Sequence, residues 1–183
     1  MPSPIEIVDY DPAWPRIFER ERAAIQTVLG PLGPFAARIE HTGSTSVPGL
    51  AAKPIVDILL GLADSHHLDD CVPPLVGIGY QYVQRYEASM PWRRYFNKRR
   101  PHHPHQHNLH VVRVGRPVWH EHIGLRDHLR THPEDAQAYA ALKRDLAPRF
   151  ADRNEYARAK TPFIHALLAK AGISPRPPDT PNA

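Results

Sequence analysis

The stretch EHTGSTSVPGLAAKPIVDILLGL, residues 40–62, carries a Gly-Ser turn, a lysine and an acid within one short span. A Gly-Ser pair at the end of a strand presents backbone N–H groups and a hydroxyl together. Such a turn can hold a phosphate without side-chain charge, which makes Gly43, Ser44 and Thr45 candidate phosphate-binding residues. The plainer alternative is a Ser/Thr-rich turn that caps a helix. Lys53 directly precedes an apolar run, where its charge would either balance a triphosphate or face water. Asp57 interrupts PIVDILLGL. A carboxylate in so apolar a strand must be paired, bind a metal or face a cleft, because burying it bare is costly. The alternative is an acid turned outward from an edge strand.

Two further clusters could do chemistry. Arg93, Arg94, Lys98, Arg99 and Arg100 surround Tyr95 and Phe96. Arginines among aromatics can clamp phosphates and stack a base, or form a basic surface loop. Five of the 13 histidines fall in HHPHQHNLH, residues 102–110. His102, His103, His105 and His107 would bind a transition metal or remain a solvated loop. His107 and His110 are three apart, so on a strand they face opposite ways. Cys71 sits on what reads as a packed helix face and is assigned no chemistry.

The elements that must position these residues follow from pattern. IEIVDY is a short strand or arm. DPAWPRIFERERAAIQTVLG is a helix with Asp11 as N-cap, Pro12 in the first turn and Gly30 at its end. FAARIEHTG and KPIVDILLGL are strands, and the second is apolar enough to be buried on both faces. DSHHLDDCVPPLVGIG is a helix capped by Asp64 or Ser65 and kinked by Pro73 and Pro74. YQYVQRYE alternates like a half-exposed strand. The basic loop that follows holds a short strand at WRRYFNK, and HNLHVVRVG is a further strand. Three helices follow: PVWHEHIGLRDHLRTH, PEDAQAYAALKRDLAPRF, and DRNEYARAKTPFIHALLAKAG with Asp152 as cap and a bend at Pro162. This order predicts an α+β (or α/β) domain, with a small mixed β-sheet flanked by helices and a helical C-terminal third.

The chain has 183 residues, enough for one domain over 1–172. Residues 173–183 form a Pro-rich polar tail that is expected to be disordered. A single cysteine favours a reducing compartment. There is no basic N-region followed by an apolar stretch and no apolar run of spanning length, so a cytoplasmic protein without a membrane partner is expected. The net charge of +4 suits an anionic ligand such as a nucleotide, with nucleic acid as a weaker option.

Asp57 stands thirteen residues after Ser44. Gly-Ser, a spacer and an acid on an apolar strand resemble the nucleotidyltransferase pattern of the DNA polymerase β superfamily. The wording EHTGSTSVPGLAAKPIVDILL, with PWRRYF from Pro91, NLHVV from Asn108, LRDHLRTHPEDAQAYAALKRDLA from Leu125 and YARAKTPFI from Tyr156, is similar to the GrpB family (UPF0157) over roughly residues 5–171. The resemblance implies a nucleotidyltransferase-like fold, an NTP as substrate or ligand, and a divalent metal (Mg, Mn or Zn). Its implied loop holds the triphosphate on Gly43, Ser44, Thr45 and Lys53, with Arg93, Arg94 and Lys160 as further phosphate contacts. Asp57 is the implied catalytic acid, and Glu87, or else Glu40, is the candidate for a second catalytic acid in this chain. Asp57 and His110 are the implied metal ligands. Leu59 occupies the position of the second acid of an Asp-x-Asp pair. That departure sets three readings side by side: nucleotidyl transfer, a non-catalytic nucleotide- or phosphate-binding module, and an accessory, chaperone-like domain, such as fusion to dephospho-CoA kinases would allow.

Overall fold

The apolar run around Asp57 satisfies its backbone inside a sheet, where it forms β2 (Ile55–Leu62). A computed structural model describes residues 5–30, 38–63, 67–99 and 106–175. Strand β1 (Ile39–Thr42) pairs antiparallel with β2, and β5 (Gln106–Arg113) pairs parallel with it. Strand β4 (Arg93–Arg99) runs antiparallel to β5 along its full length, and the two-residue β3 (Gln81–Tyr82) closes the edge. The order β1-β2-β5-β4-β3 gives a mixed five-stranded sheet.

Strand periodicity divides β2 between two layers. Val56, Ile58, Leu60 and Leu62 are fully buried on one face, with Phe96, Leu109 and Val111 beside them. Helix α1 (Trp14–Leu29) covers this face through Trp14, Ile17, Phe18, Ile25 and Leu29, helped by the short α2 (Val72–Gly77). The opposite face carries Asp57, Leu59 and Gly61. There Leu59 packs with Val112, Val118 and Trp119, and a side chain at Gly61 would strike Trp119. This second face is covered by α3 (Pro117–Thr131), α4 (Pro133–Leu146) and α5 (Arg153–Lys170). Among the described residues the fold is therefore α+β, with helices on both faces of a small mixed sheet and a helical C-terminal part.

Several local expectations change. The first helix starts at Trp14, and the Asp11 carboxylate accepts from the Ala13 N–H at 2.8 Å just ahead of it. IEIVDY contributes a single antiparallel bridge between Val8 and Ala52 rather than a strand. Pro73 and Pro74 lie in the first turn of α2, where their missing N–H groups would have no intrahelical partner, so they start this helix instead of kinking it. The proposed caps Asp64 and Ser65 lie outside the described residues, as do His102, His103 and His105. YQYVQRYE is a strand only at Gln81–Tyr82. It then turns through a 3-10 helix at Gln84–Tyr86, which sets Tyr86 against Tyr95. The short strand expected at WRRYFNK is present, shifted by one residue as β4, and its pairing with β5 and buried Phe96 fix it in the sheet.

Candidate functional site

A cavity of about 350 Å³ lies between the Asp57 face of the sheet and helices α3–α5. It gathers Gly43, Ser44, Thr45, Lys53, Asp57, His110 and Lys160 of the sequence-predicted set, together with Asn108, Tyr139, Lys143 and Tyr156.

Register explains the polar floor. Asp57 stands opposite Asn108 on the parallel neighbour β5, and Asn108 stands opposite Asn97 on β4. The Asn108 side-chain amide donates to Asp57 Oδ1 at 2.8 Å, and the Tyr95 hydroxyl donates to Asn108 Oδ1 at 2.8 Å. The residue facing Asp57 is thus an amide that donates to it. His110 is two residues further along, opposite Leu59. Burial pushes the Asp57 carboxyl above the usual range, while the Asn108 bond and the nearby Lys53, Lys160 and Lys143 pull it back.

The turn before β2 is shaped around that carboxylate. Gly43 adopts φ +66°, outside the range most residues take, and a Cβ there would collide with Asp57. The Thr45 hydroxyl is buried and lies 3.0 Å from His41 Nε2. His41, lowered to about 3 by burial and then by Arg130 and Arg126, stays neutral. Thr45 thus anchors the turn through His41, whereas Ser44 Oγ lies 2.9 Å from the Lys143 ammonium.

Three lysines converge here on one acid. Lys143 is 2 % exposed, also donates to the Ala51 carbonyl, and lies 4.6 Å from the Tyr139 ring centre. Lys53 and Lys160 lie 5.4 and 4.6 Å from the Tyr156 ring centre, so that one aromatic serves both cations. Burial lowers all three lysines, and mutual repulsion adds to it for Lys143 and Lys160. Lys143 falls to about 7 and Lys160 to about 8. A cavity holding three amines and one carboxylate favours an anion.

Other sequence candidates fall elsewhere. Glu87 accepts from the Tyr82 hydroxyl and lies 3.8 Å from Arg94, and it does not line the cavity. Arg94 is bound bidentately by Asp69. Arg93 reaches His110 Nδ1 at 3.3 Å and stacks near Tyr86, Trp92 and Tyr95 without lining the cavity. Glu40 pairs with Arg126 at 2.8 Å. His110 is half-buried between Arg93 and His122, and desolvation first, then these two neighbours, hold it well below its ordinary value.

Lys143, Tyr139 and Asn108 are the functional candidates that residue-by-residue reading missed. Ala136, Tyr139, Ala140 and Lys143 share one helical face, so a lysine on the apolar stripe of α4 was the available signal. Asn108 could have been found only through the register of β2 and β5.

Fold and cavity define a mixed-sheet α+β protein with a cationic pocket under its C-terminal helices. The family model described as GrpB protein matches residues 4–170, and the chain belongs to the GrpB family. A UPF0157 protein of Pseudomonas aeruginosa is 41% identical over 177 residues, covering 95% of this chain and 70% of that protein. The crystal structure of conserved protein GrpB from Enterococcus faecalis aligns with TM-score 0.75 at 30% identity, over 91% of this chain and 96% of that one. A dephospho-CoA kinase of Mycolicibacterium paratuberculosis is 27% identical over 92% of this chain, which matches 46% of the kinase. A nucleotidyltransferase-like superfamily is consistent with this membership.

Proposed function

We propose that the chain binds a nucleotide or another phosphate-bearing small molecule, with the phosphates held by Lys53, Lys143 and Lys160. The convergence of these three lysines on the cavity carries the reading. Burial disfavours the charged form of all three, and an anion in the cavity would offset that penalty.

The donor set argues against a resident divalent ion. Two-metal phosphoryl transfer needs several carboxylates around the ions. Asp57 is a lone carboxylate facing three amines, and Asn108 already donates to it. Leu59 is packed into an apolar cluster, Glu87 and Glu40 are bound to arginines, and His110 faces Arg93. Among the described residues no group of three or more His, Cys, Asp or Glu is placed to hold a metal. Nucleic acid gains no support either, because Arg94 and Lys98 are committed to Asp69 and Glu21. The kinase relative is compatible with a phosphate-binding module that accompanies a catalytic domain.

Thermal unfolding with phosphate, pyrophosphate or ATP, each with and without Mg²⁺, Mn²⁺ or Zn²⁺, tests the proposal. Pyrophosphate and ATP should stabilise the wild type without metal. Lys160→Met should weaken that effect about tenfold, the size expected for roughly 1.4 kcal/mol. Asp57→Asn should preserve or strengthen it, since a negative charge facing the anion is removed. Stabilisation that requires a metal and vanishes in Asp57→Asn would replace this reading with metal-dependent nucleotidyl transfer. No stabilisation by any anion would overturn both.

A further inference from the structure

We propose that Ser44 and Lys143 form a nucleophile–base pair that accepts an acyl group from an acyl phosphate, a step that rests on the phosphate-binding reading of the same cavity. Ser44 Oγ and Lys143 Nζ are 2.9 Å apart and both line the cavity. That is within the reach a general base needs.

The amine is fixed in place. Its second hydrogen bond goes to the Ala51 carbonyl, and the Tyr139 ring lies against it. The charged groups acting on it are Lys160, Arg144 and Lys53, which disfavour its protonation, and Asp57, which favours it. Burial first, and repulsion second, bring Lys143 to about 7, so a large share is neutral at physiological pH. A neutral amine that donates one N–H to Ala51 can turn its lone pair to the Ser44 O–H. This is the serine–lysine form of the activated nucleophile.

The cavity has two kinds of wall. Lys53 and Lys160 supply cations, and Leu125, Leu129 and Ile164 supply an apolar surface. An acyl phosphate matches both, with its phosphate on the lysines and its acyl chain on the leucines and isoleucine. Attack at carbon also needs no metal-holding set of carboxylates, unlike two-metal phosphoryl transfer. In the step, Ser44 Oγ bonds to the acyl carbon and the carbon–oxygen bond to phosphate breaks. The serine proton passes to Lys143 Nζ and from there to the departing phosphate, which leaves as hydrogen phosphate. Water then cleaves the acyl-serine ester, restoring the Ser44 hydroxyl and releasing the carboxylic acid.

Full-length protein incubated with acetyl phosphate and followed by intact-mass and peptide mass spectrometry decides the matter. One acetyl group per chain should appear on Ser44 and be removed by hydroxylamine, with a rate that rises with pH through about 7. Ser44→Ala should abolish it, and Lys143→Met should slow it at least a hundredfold, both with cooperative unfolding retained. Lys143→Arg covers the case in which the methionine variant fails to fold, and should be equally slow because arginine stays protonated. Acetylation on Lys143 or Lys160 with Ser44 unmodified would overturn the proposal, as would labelling of Ser44 at an unchanged rate in Lys143→Arg. If pyrophosphate stabilises the wild type and no acetyl-serine forms, this proposal falls and the phosphate-binding reading stands. If no anion stabilises the protein, that reading falls.

Discussion

The α-carbon of Gly43 faces the carboxylate of Asp57 so closely that a Cβ at position 43 would strike Oδ2 and stand 3.0 Å from both Cβ and Cγ of the acid. The turn and the acid are therefore one unit, and the φ of +66° at Gly43 is what lets them meet. Gly43→Ala combines the cost of a backbone conformation open essentially to glycine alone (φ +66°, ψ −174°), roughly 1–3 kcal/mol, with displacement of the carboxylate. A total of about 2–4 kcal/mol is expected, a fall in Tm of about 5–10 °C for a chain of this size. In the Gly43→Ala/Asp57→Ala double variant the loss should be smaller than the sum of the single losses, because the colliding carboxylate is gone. Strictly additive losses in a thermal-unfolding cycle would show that the two residues do not press on each other.

Lys98 belongs to the interior rather than to a basic patch. Its ammonium lies 2.6 Å from Glu21 Oε1, and Glu21, on the buried face of α1, is 1 % exposed. Lys98→Met withdraws that ammonium from a buried carboxylate and should cost on the order of 3 kcal/mol. Adding Glu21→Leu should recover most of the loss by removing the buried charge, as read from urea unfolding. A double variant as unstable as Lys98→Met alone would refute the pairing.

Local patterns that depend on a single segment were legible in the sequence. The run PIVDILLGL reads as a buried strand, and an acid inside it points to a pair, a metal or a cleft, with an outward-facing edge acid as the alternative, so the loop–strand half of the cavity could be read from residues 43–57. What could not be read comes from elements distant in the chain. Asn108 reaches Asp57 only through the parallel register of β2 and β5, and Lys143 reaches Ser44 across 99 residues of sequence. Glu87 was misplaced for the same reason. Its segment leaves the sheet after Tyr82, and the Tyr82 hydroxyl and Arg94 bind it away from the cavity. Arg93 and Arg94 looked free for phosphate in a linear reading, but β4 places them beside Asp69, His110 and aromatic rings.

Asp152 caps the helix that brings Lys160 and Tyr156 to the cavity. Its carboxylate accepts from the Asn154 and Glu155 N–H groups at 2.8 and 2.9 Å. Asp152→Ala should cost about 1 kcal/mol, a fall of roughly 2–4 °C in Tm. Asp152→Asn, which keeps an acceptor, should lose much less. Equal losses in the two variants would show that charge at the helix start, and not the capping bonds, is what matters there.

The lysines give the stability a pH dependence of definite sign. Lys143 sits at about 7 and Lys160 at about 8 in the folded chain, against roughly 10.4 when unfolded. From about pH 7 to pH 10 the unfolded chain holds protons that the folded chain has released, so these two groups make unfolding less favourable as pH rises. Well below pH 7, at about pH 6, both states are protonated and the penalty of the buried charges is fully present. In phosphate-free buffer Tm should therefore rise from pH 7 to pH 9. Lys160→Met should flatten that rise twice over, by removing one titrating group and by lifting a repulsion that lowers Lys143. Pyrophosphate should act in the opposite sense, stabilising most near pH 7, where less energy is needed to protonate the lysines, and progressively less towards pH 9. The slope of Tm against pH, measured for both proteins with and without pyrophosphate, checks each part. An identical slope in wild type and Lys160→Met would mean that the lysines do not repel one another across the cavity.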